Sequence, residues 1–215
     1  KKIVHSQHGS ALMKDPDNAC RIIESIRNSC GLQVSVKTRL GWKNADGLIS
    51  FCQSLQSAGA SLITIHGRTY SQAFKGEADW EPIYELKKHL QIPLLGNGDV
   101  LDHQDGLKRL QNLDGFMIGR HAIGNPWCFR DSKKSPSPVL GERIQVALDH
   151  YGLLCKLRPE RVAVREFRKY LGHYVKGFLH AKAWRTRMME CESSSEFVAC
   201  MNRLQHEEGL LKLAG

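Results

Sequence analysis

The chain has 215 residues, of which 41% are hydrophobic and 25% charged. That length is enough for one medium domain or two small ones with a buried core, and without an apolar run of about 18 residues a transmembrane helix is not expected. Seven scattered cysteines contain no CxxC pair, which argues against a zinc site or a disulfide framework and for a reducing, cytosolic compartment. The N-terminal Lys1-Lys2-Ile3-Val4 has no long apolar stretch behind it, so no signal peptide is read there. No initiator Met is present, and the chain is expected to begin inside a longer protein.

Along the first 129 residues two periodicities alternate. Residues 17–29 place Ile22, Ile23 and Ile26 at helical spacing, with Asp17 as the expected N-cap. The run 33–41 is β-branched and ends at Gly41, and 46–58 is helical again, with Leu48, Phe51, Cys52 and Leu55 on one side. Strands are expected at 61–67, 92–99 and 115–120, with helices at 80–90 and 103–112 between them. Strands alternating with helices imply βαβ units and a parallel sheet. The stretch 132–141 is polar, with Pro136 and Pro138, and reads as a linker. Beyond it only helical spacing remains, over 142–157, 160–176, 181–190 and 193–206. The expected domains are therefore 1–131, an α/β part, and 142–215, an all-helical part.

The charge follows this division. Of the net +9, residues 130–190 carry +8, whereas 1–129 carry +3 and 191–215 carry −2. A basic excess confined to one stretch is the footprint of a polyanion, nucleic acid first, or else a solvated face.

In parallel α/β sheets chemistry gathers at the carboxyl ends of strands. The first strand alternates Val34, Val36, Thr38 with Ser35, Lys37, Arg39. Lys37 then faces away from the covering helices, where it either meets an anion or snorkels to solvent. The second strand puts Leu62, Thr64, His66 and Arg68 on one face. That is a polar cluster for a ligand or a hydrogen-bonded structural pair. The third strand ends Gly96-Asn97-Gly98-Asp99 and the fourth Gly119-Arg120. Glycines let the backbone approach a ligand and leave N–H groups for phosphate oxygens. Two such ends on consecutive strands point to a phosphorylated cofactor.

The ordered motifs VSVKTRLGW (34–42), TIHGRT (64–69), IPLLGNGDV (92–100) and GFMIGRHAIGNPW (115–127), with REFRKYLGHYVKGF (165–178), resemble the tRNA-dihydrouridine synthases, the bacterial B-type above all. KKIVHSQHGSALMKDP (1–16) resembles the segment after that family's catalytic Asn-x-Gly-Cys-Pro signature, with Gly9-Ser10 closing the pattern. The resemblance implies a flavin-dependent (β/α)8 TIM barrel with a C-terminal helical domain. The four strands would then be the second half of the barrel. It implies FMN as cofactor, NADPH or NADH as reductant, and tRNA uridine as substrate, reduced at C5=C6. By the same resemblance Lys37 and His66 contact the flavin ring and ribityl chain. Asn97, Gly98, Asp99, Gly119 and Arg120 surround its phosphate. Arg68 faces either the flipped-out uracil or a phosphate.

By the resemblance the proton-donating Cys would stand just before Lys1; Cys20, Cys30 and Cys52 sit on helical segments away from the strand ends and do not replace it, and the chain is expected to be inactive alone. Arg165, Arg168, Lys169 and Lys176 would meet tRNA phosphates. Tyr170, Tyr174 and Trp184 stack on bases or, as the commoner case, fill the helical core. No metal, membrane or protein partner is implied, and the full-length protein is expected to be monomeric. Two rivals remain: another FMN- or phosphate-binding barrel acting on a small molecule, which would have no use for the +8 helical stretch, and a non-catalytic RNA-binding fragment.

Overall fold

The computed structural model describes residues 7–131 and 137–213. The signature match at Lys1–Val4 and half of the expected 132–141 linker lie outside the described residues. The chain forms two compact units, Lys1–Gly119 and Arg120–Gly215.

The first unit is α/β. Helix α1 (Pro16–Cys30) starts where Pro16 presets the first helical φ, and Asp15, not Asp17, is its cap: the Asp15 carboxylate accepts from Asn18 N–H at 3.1 Å. Gly31, at φ +64°, closes the helix in the left-handed conformation. There follow β1 (Val34–Arg39), α2 (Leu48–Ser57), β2 (Ala60–His66), α3 (Glu81–Lys87), β3 (Leu94–Asn97), α4 (His103–Lys108) and β4 (Gly115–Met117). The four strands are parallel and lie in the order β1-β2-β3-β4. The expected fourth strand, 115–120, is shorter in the fold, because Arg120 already opens a 3-10 turn, Arg120–Ala122, in the second unit.

Strictly sequential parallel order has a consequence. Right-handed crossovers that always step the same way put every helix on one face of the sheet. Ile63, Ile65 and Leu94 stand on that face and are fully buried. Alternation then sends Lys37, Arg39, Thr64, His66 and Asn97 to the other face. Near its start β2 carries one extra residue, so that Val34 pairs with Ala60 but Ser35 with Leu62. The Ser61 hydroxyl there donates to the Val34 carbonyl.

On α1 only Ile23 of the expected apolar trio is buried, while Ile22 and Ile26 are 41% and 44% exposed. The helix meets α2, β1 and the 3-10 turn Gly9–Lys14, and the two outer isoleucines line a cavity of about 220 Å³ with Leu12, Met13, Val34 and Phe51.

The second unit, among its described residues, is helical throughout: two 3-10 turns, then α5 (Leu140–Leu157), α6 (Glu160–Tyr174), α7 (Ala181–Glu190) and α8 (Ser194–Leu213). Its core is built from Phe167, Phe197, Leu171, Met188, Met201 and Leu204, all essentially inaccessible. Tyr151 stacks edge-on to Phe167. Tyr174 and Trp184 are buried in this core, where they serve packing, and Tyr170 is partly buried against it. No described helix is long and apolar enough to cross a membrane.

Candidate functional site

The site is a polar row across the face of the sheet opposite the helices. Strand register sets Arg39 beside His66, His66 beside Asn97, and Asn97 beside Met117. One step earlier Lys37 stands beside Thr64. Each member is there because its parity along the strand matches its neighbour's, and register in a parallel sheet keeps paired side chains on one face.

Charge and burial shape this row. Lys37 is lowered from its ordinary value by desolvation and by the nearby Arg39. Arg39 is lowered by desolvation and by Arg68. Its Nη1 donates to the carbonyls of Thr69 and Ala73, at 3.1 and 3.0 Å. His66 is buried and pushed down to about 4, first by desolvation, then by Arg39, Lys37 and Arg68, against a smaller opposing pull from Asp99. The ring is therefore neutral at physiological pH. Asn97 is buried as well, and its Nδ2 donates to the Met117 carbonyl at 2.8 Å, which ties β3 to the end of β4.

The loop after β3 is organised by an ion pair. Gly98 and Asp99 adopt φ +127° and +56° in succession, and this turn brings the Asp99 carboxylate back onto Arg68. Arg68 is 2% exposed. Its Nη1 and Nη2 meet Asp99 at 2.9 and 2.6 Å, Nη2 also reaches the Gly76 carbonyl, Nε the Lys75 carbonyl, and Nη1 lies 3.5 Å from His66 Nε2. All five N–H groups of the guanidinium are thus committed inside the unit.

These bonds bear on three of the residues expected to contact a ligand. Arg68 has no donor left for a uracil or a phosphate. The Asp99 carboxylate is neutralised by Arg68 and takes a further hydrogen bond from Ala78 N–H at 2.9 Å. At Gly98 a Cβ would come within 2.6 Å of Ala78 Cβ and 3.0 Å of His66 Cδ2, so protein already fills that space and the glycine serves the turn. Gly119 differs, since a Cβ there would meet only Asn97 Nδ2, at 3.7 Å. Arg120 belongs to the second unit, where it is exposed at the start of its 3-10 turn. The structure therefore unites Lys37, His66, Asn97 and Gly119, and adds Arg39. Arg39 shares Lys37's parity in β1, and that signal was already present in the alternation of 34–39.

Beside the row, at the end of β1, a cavity of about 330 Å³ is lined by Lys14, Arg39, Trp42, Lys43 and Asn44, among others. Trp42 stacks on Tyr70 with centroids 4.0 Å apart, and Lys14 Nζ lies 3.6 Å from the Trp42 ring centre. Of the seven cysteines none stands on a strand: Cys20 and Cys30 are on α1, Cys52 on α2, and Cys128, Cys155, Cys191 and Cys200 in the second unit.

In the second unit the four cations expected to meet phosphates part ways. Arg165 and Lys176 are exposed. Lys169 is exposed but paired with Glu166 at 2.9 Å, a carboxylate shared with Arg158. Arg168 turns inward: Nη2 donates to the Cys191 carbonyl at 2.9 Å, and its Nε is buried. It sits one residue beyond Phe167 on a helix whose buried face is Ala163, Val164, Phe167 and Leu171, so half of its side chain is drawn into the core.

Comparison with known proteins agrees with the motifs from which this site is built. Residues 1–210 match the family model described as dihydrouridine synthase. A probable tRNA-dihydrouridine synthase of Rhizobium leguminosarum bv. phaseoli is 36% identical over 186 residues, covering 85% of this chain and 59% of that protein. One from Synechocystis sp. is 32% identical over 205 residues, 91% of this chain and 58% of the relative. The tRNA-dihydrouridine synthase B of Pseudomonas putida is 30% identical over 205 residues, 90% of this chain and 60% of the relative. The chain thus spans about three fifths of the length of the curated relatives it matches. With the family model running through both the polar row and the basic helices, the chain belongs to the dihydrouridine synthase family.

Proposed function

We propose that this chain is the flavin-holding and RNA-docking part of a tRNA-dihydrouridine synthase, which reduces uridine to 5,6-dihydrouridine in cytosolic tRNA with NADPH or NADH. The observation that carries the reading is the row Lys37, Arg39, His66 and Asn97 on the helix-free face of a sequentially ordered parallel sheet. That order is what half of a (β/α)8 barrel requires, with the row lining the interior near its mouth. The uncovered Ile22 and Ile26 of α1 fit a place for the preceding βα units.

These residues fit FMN. A flavin ring needs donors and positive charge along its polar edge and close backbone beside its phosphate. Lys37 supplies the charge, His66 and Asn97 supply polar contacts, and Gly119 leaves room. When bound, FMN supplies the hydride that reaches uracil C6. Lys37 stabilises negative charge at the polar edge of the ring. His66, neutral, hydrogen-bonds without adding charge. Gly98 and Asp99 shape the loop beside the ligand's phosphate, the Asp99 carboxylate being held by Arg68 and Ala78 N–H. The proton delivered to C5 comes, in this reading, from the cysteine of the family's Asn-x-Gly-Cys-Pro signature, since no strand of this chain carries one. The target base has to leave its stack to reach a barrel mouth. Exposed cations of the helical unit, Arg165 and Lys176 among them, dock the RNA through phosphates.

The test is to purify the full-length protein, record its visible spectrum, and incubate it with unmodified tRNA and NADPH or NADH. A flavin spectrum and a uridine that gains two hydrogens by mass spectrometry support the reading. A protein that binds no flavin, or that reduces only small molecules and leaves tRNA unchanged, overturns it.

A further inference from the structure

The contact between Arg68 and His66 assigns a proton. Arg68 Nη1 lies 3.5 Å from His66 Nε2, and a guanidinium only donates. Nε2 must therefore offer its lone pair. In a neutral imidazole the nitrogen that does not accept carries the hydrogen, which places it on Nδ1. The same edge of the ring faces Gly98, whose missing Cβ would lie 3.0 Å from His66 Cδ2. With the Cδ2–Nε2 edge against Gly98 and Arg68, the Nδ1 edge looks away from the clamp. Nδ1 has no partner among the described residues.

Arg68 has no freedom to release this contact. Its position is fixed by two bonds to Asp99, with the Lys75 and Gly76 carbonyls on the remaining donors. Asp99 is held in turn by Ala78 N–H and by the left-handed turn at Gly98-Asp99. The clamp thus gathers three stretches of chain, 66–68, 75–78 and 98–99, around one ring.

We propose that Arg68, fixed by Asp99, is a positioning residue that locks His66 in the Nδ1–H tautomer, so that His66 presents one neutral donor to an acceptor atom of a ligand on the open face. This rests on the reading that a flavin occupies that face. The ligand atom opposite His66 is then an acceptor, a ring carbonyl oxygen, an unprotonated ring nitrogen or a ribityl hydroxyl oxygen, and a ligand that offers only a donor there is rejected. A histidine free to switch tautomers would accept either.

The experiment is long-range ¹⁵N–¹H NMR of the ring nitrogens in the full-length protein labelled with [¹⁵N]histidine, at pH 7.5 without flavin, with His66→Gln identifying the signal. Wild type is expected to show Nδ1 protonated and Nε2 unprotonated. Asp99→Asn, which keeps the volume of the side chain but loosens its hold on Arg68, is expected to raise the Nε2–H fraction severalfold, and Arg68→Lys to do the same. A wild-type ring protonated on Nε2 overturns the proposal whether or not either variant folds. A wild-type tautomer unchanged in folded Asp99→Asn overturns the lock. Titration of the same wild-type sample with FMN, followed by flavin fluorescence, is read separately: absence of binding removes the flavin reading and leaves the tautomer measured.

Discussion

Trp80 fills the space in which any side chain on Gly96 would have to stand. A Cβ on Gly96 would fall 2.0 Å from Trp80 Cζ3 and 2.7 Å from two further ring atoms. The indole is 6% exposed and its Nε1 donates to the Gly98 carbonyl, so it has nowhere to retreat. Gly96→Ala is expected to cost about 1–3 kcal/mol, the usual penalty of overpacking a filled core. Urea unfolding of the full-length variant should show a lowered midpoint with an unchanged slope. A midpoint equal to wild type would mean that the indole yields.

His66 makes stability depend on pH. Its folded value, near 4, lies below the ordinary 6.5, so between the two the unfolded chain binds more protons than the fold. The contribution is fully present above pH 6.5 and is lost as pH falls toward 4. It amounts to roughly 3 kcal/mol at most. Urea midpoints of wild type between pH 7.5 and 4.5 should drop more steeply than those of His66→Gln, and parallel curves would refute the assignment.

Lys37 should matter for flavin affinity. Lys37→Ala removes the charge nearest the row's first position and is expected to weaken FMN binding at least tenfold in a fluorescence titration of the full-length protein. Arg120→Ala is expected to act in the same direction if the loop it opens reaches the phosphate. Wild-type affinity in both variants would move the cofactor elsewhere.

Arg165 and Arg168 are three residues apart, yet they should respond oppositely. Arg165 is exposed, so Arg165→Ala should flatten the slope of log K against log salt for unmodified tRNA by about 0.7–0.9 if it holds one phosphate. Arg168 donates into the core at Cys191, so Arg168→Ala should lower the unfolding midpoint and leave the salt slope unchanged. Filter binding across a salt series and thermal melts separate the two, and equal salt slopes for Arg165→Ala and wild type would make Arg165 a solvated charge only.

Residues 1–215 expressed alone should self-associate. Among the described residues β1 and β4 each pair on one side only, and Ile22, Ile26 and Leu32 on the β1 flank are 41%, 44% and 70% exposed. Light scattering should give a mass above one chain, whereas a monodisperse monomer with a sharp melt would argue against the half-barrel reading.

Much of the fold was legible because its strands are short β-branched runs between turn residues, and its helices carry three- and four-residue apolar spacing. Strand parity placed Lys37 and His66 on one face before any coordinate. The pairing of Arg68 with Asp99 was not legible, since 31 residues separate them and only the left-handed turn at Gly98-Asp99 brings the carboxylate round. Nor was the contact of Gly96 with Trp80 legible: a glycine that makes room for an indole and one that makes room for a ligand have the same spelling. The inward turn of Arg168 was hidden because it borders the buried stripe of its helix instead of lying within it. Asp15 displaced Asp17 as the cap through the Pro16 between them.

The sheet's neighbour-to-neighbour order also bears on how the chain comes into being. Each strand pairs only with the one made just before and the one made just after. No strand has to wait for a distant partner, so every βα unit leaving the ribosome can dock on one already formed. The pair Arg68 and Asp99 spans 31 residues, as the paired residues of β2 and β3 do, but its carboxylate follows β3 in the chain. Pairing of the strands and tightening of the site are therefore separable: a chain cut after Asn97 would keep β1, β2 and β3 but leave Arg68 without its carboxylate.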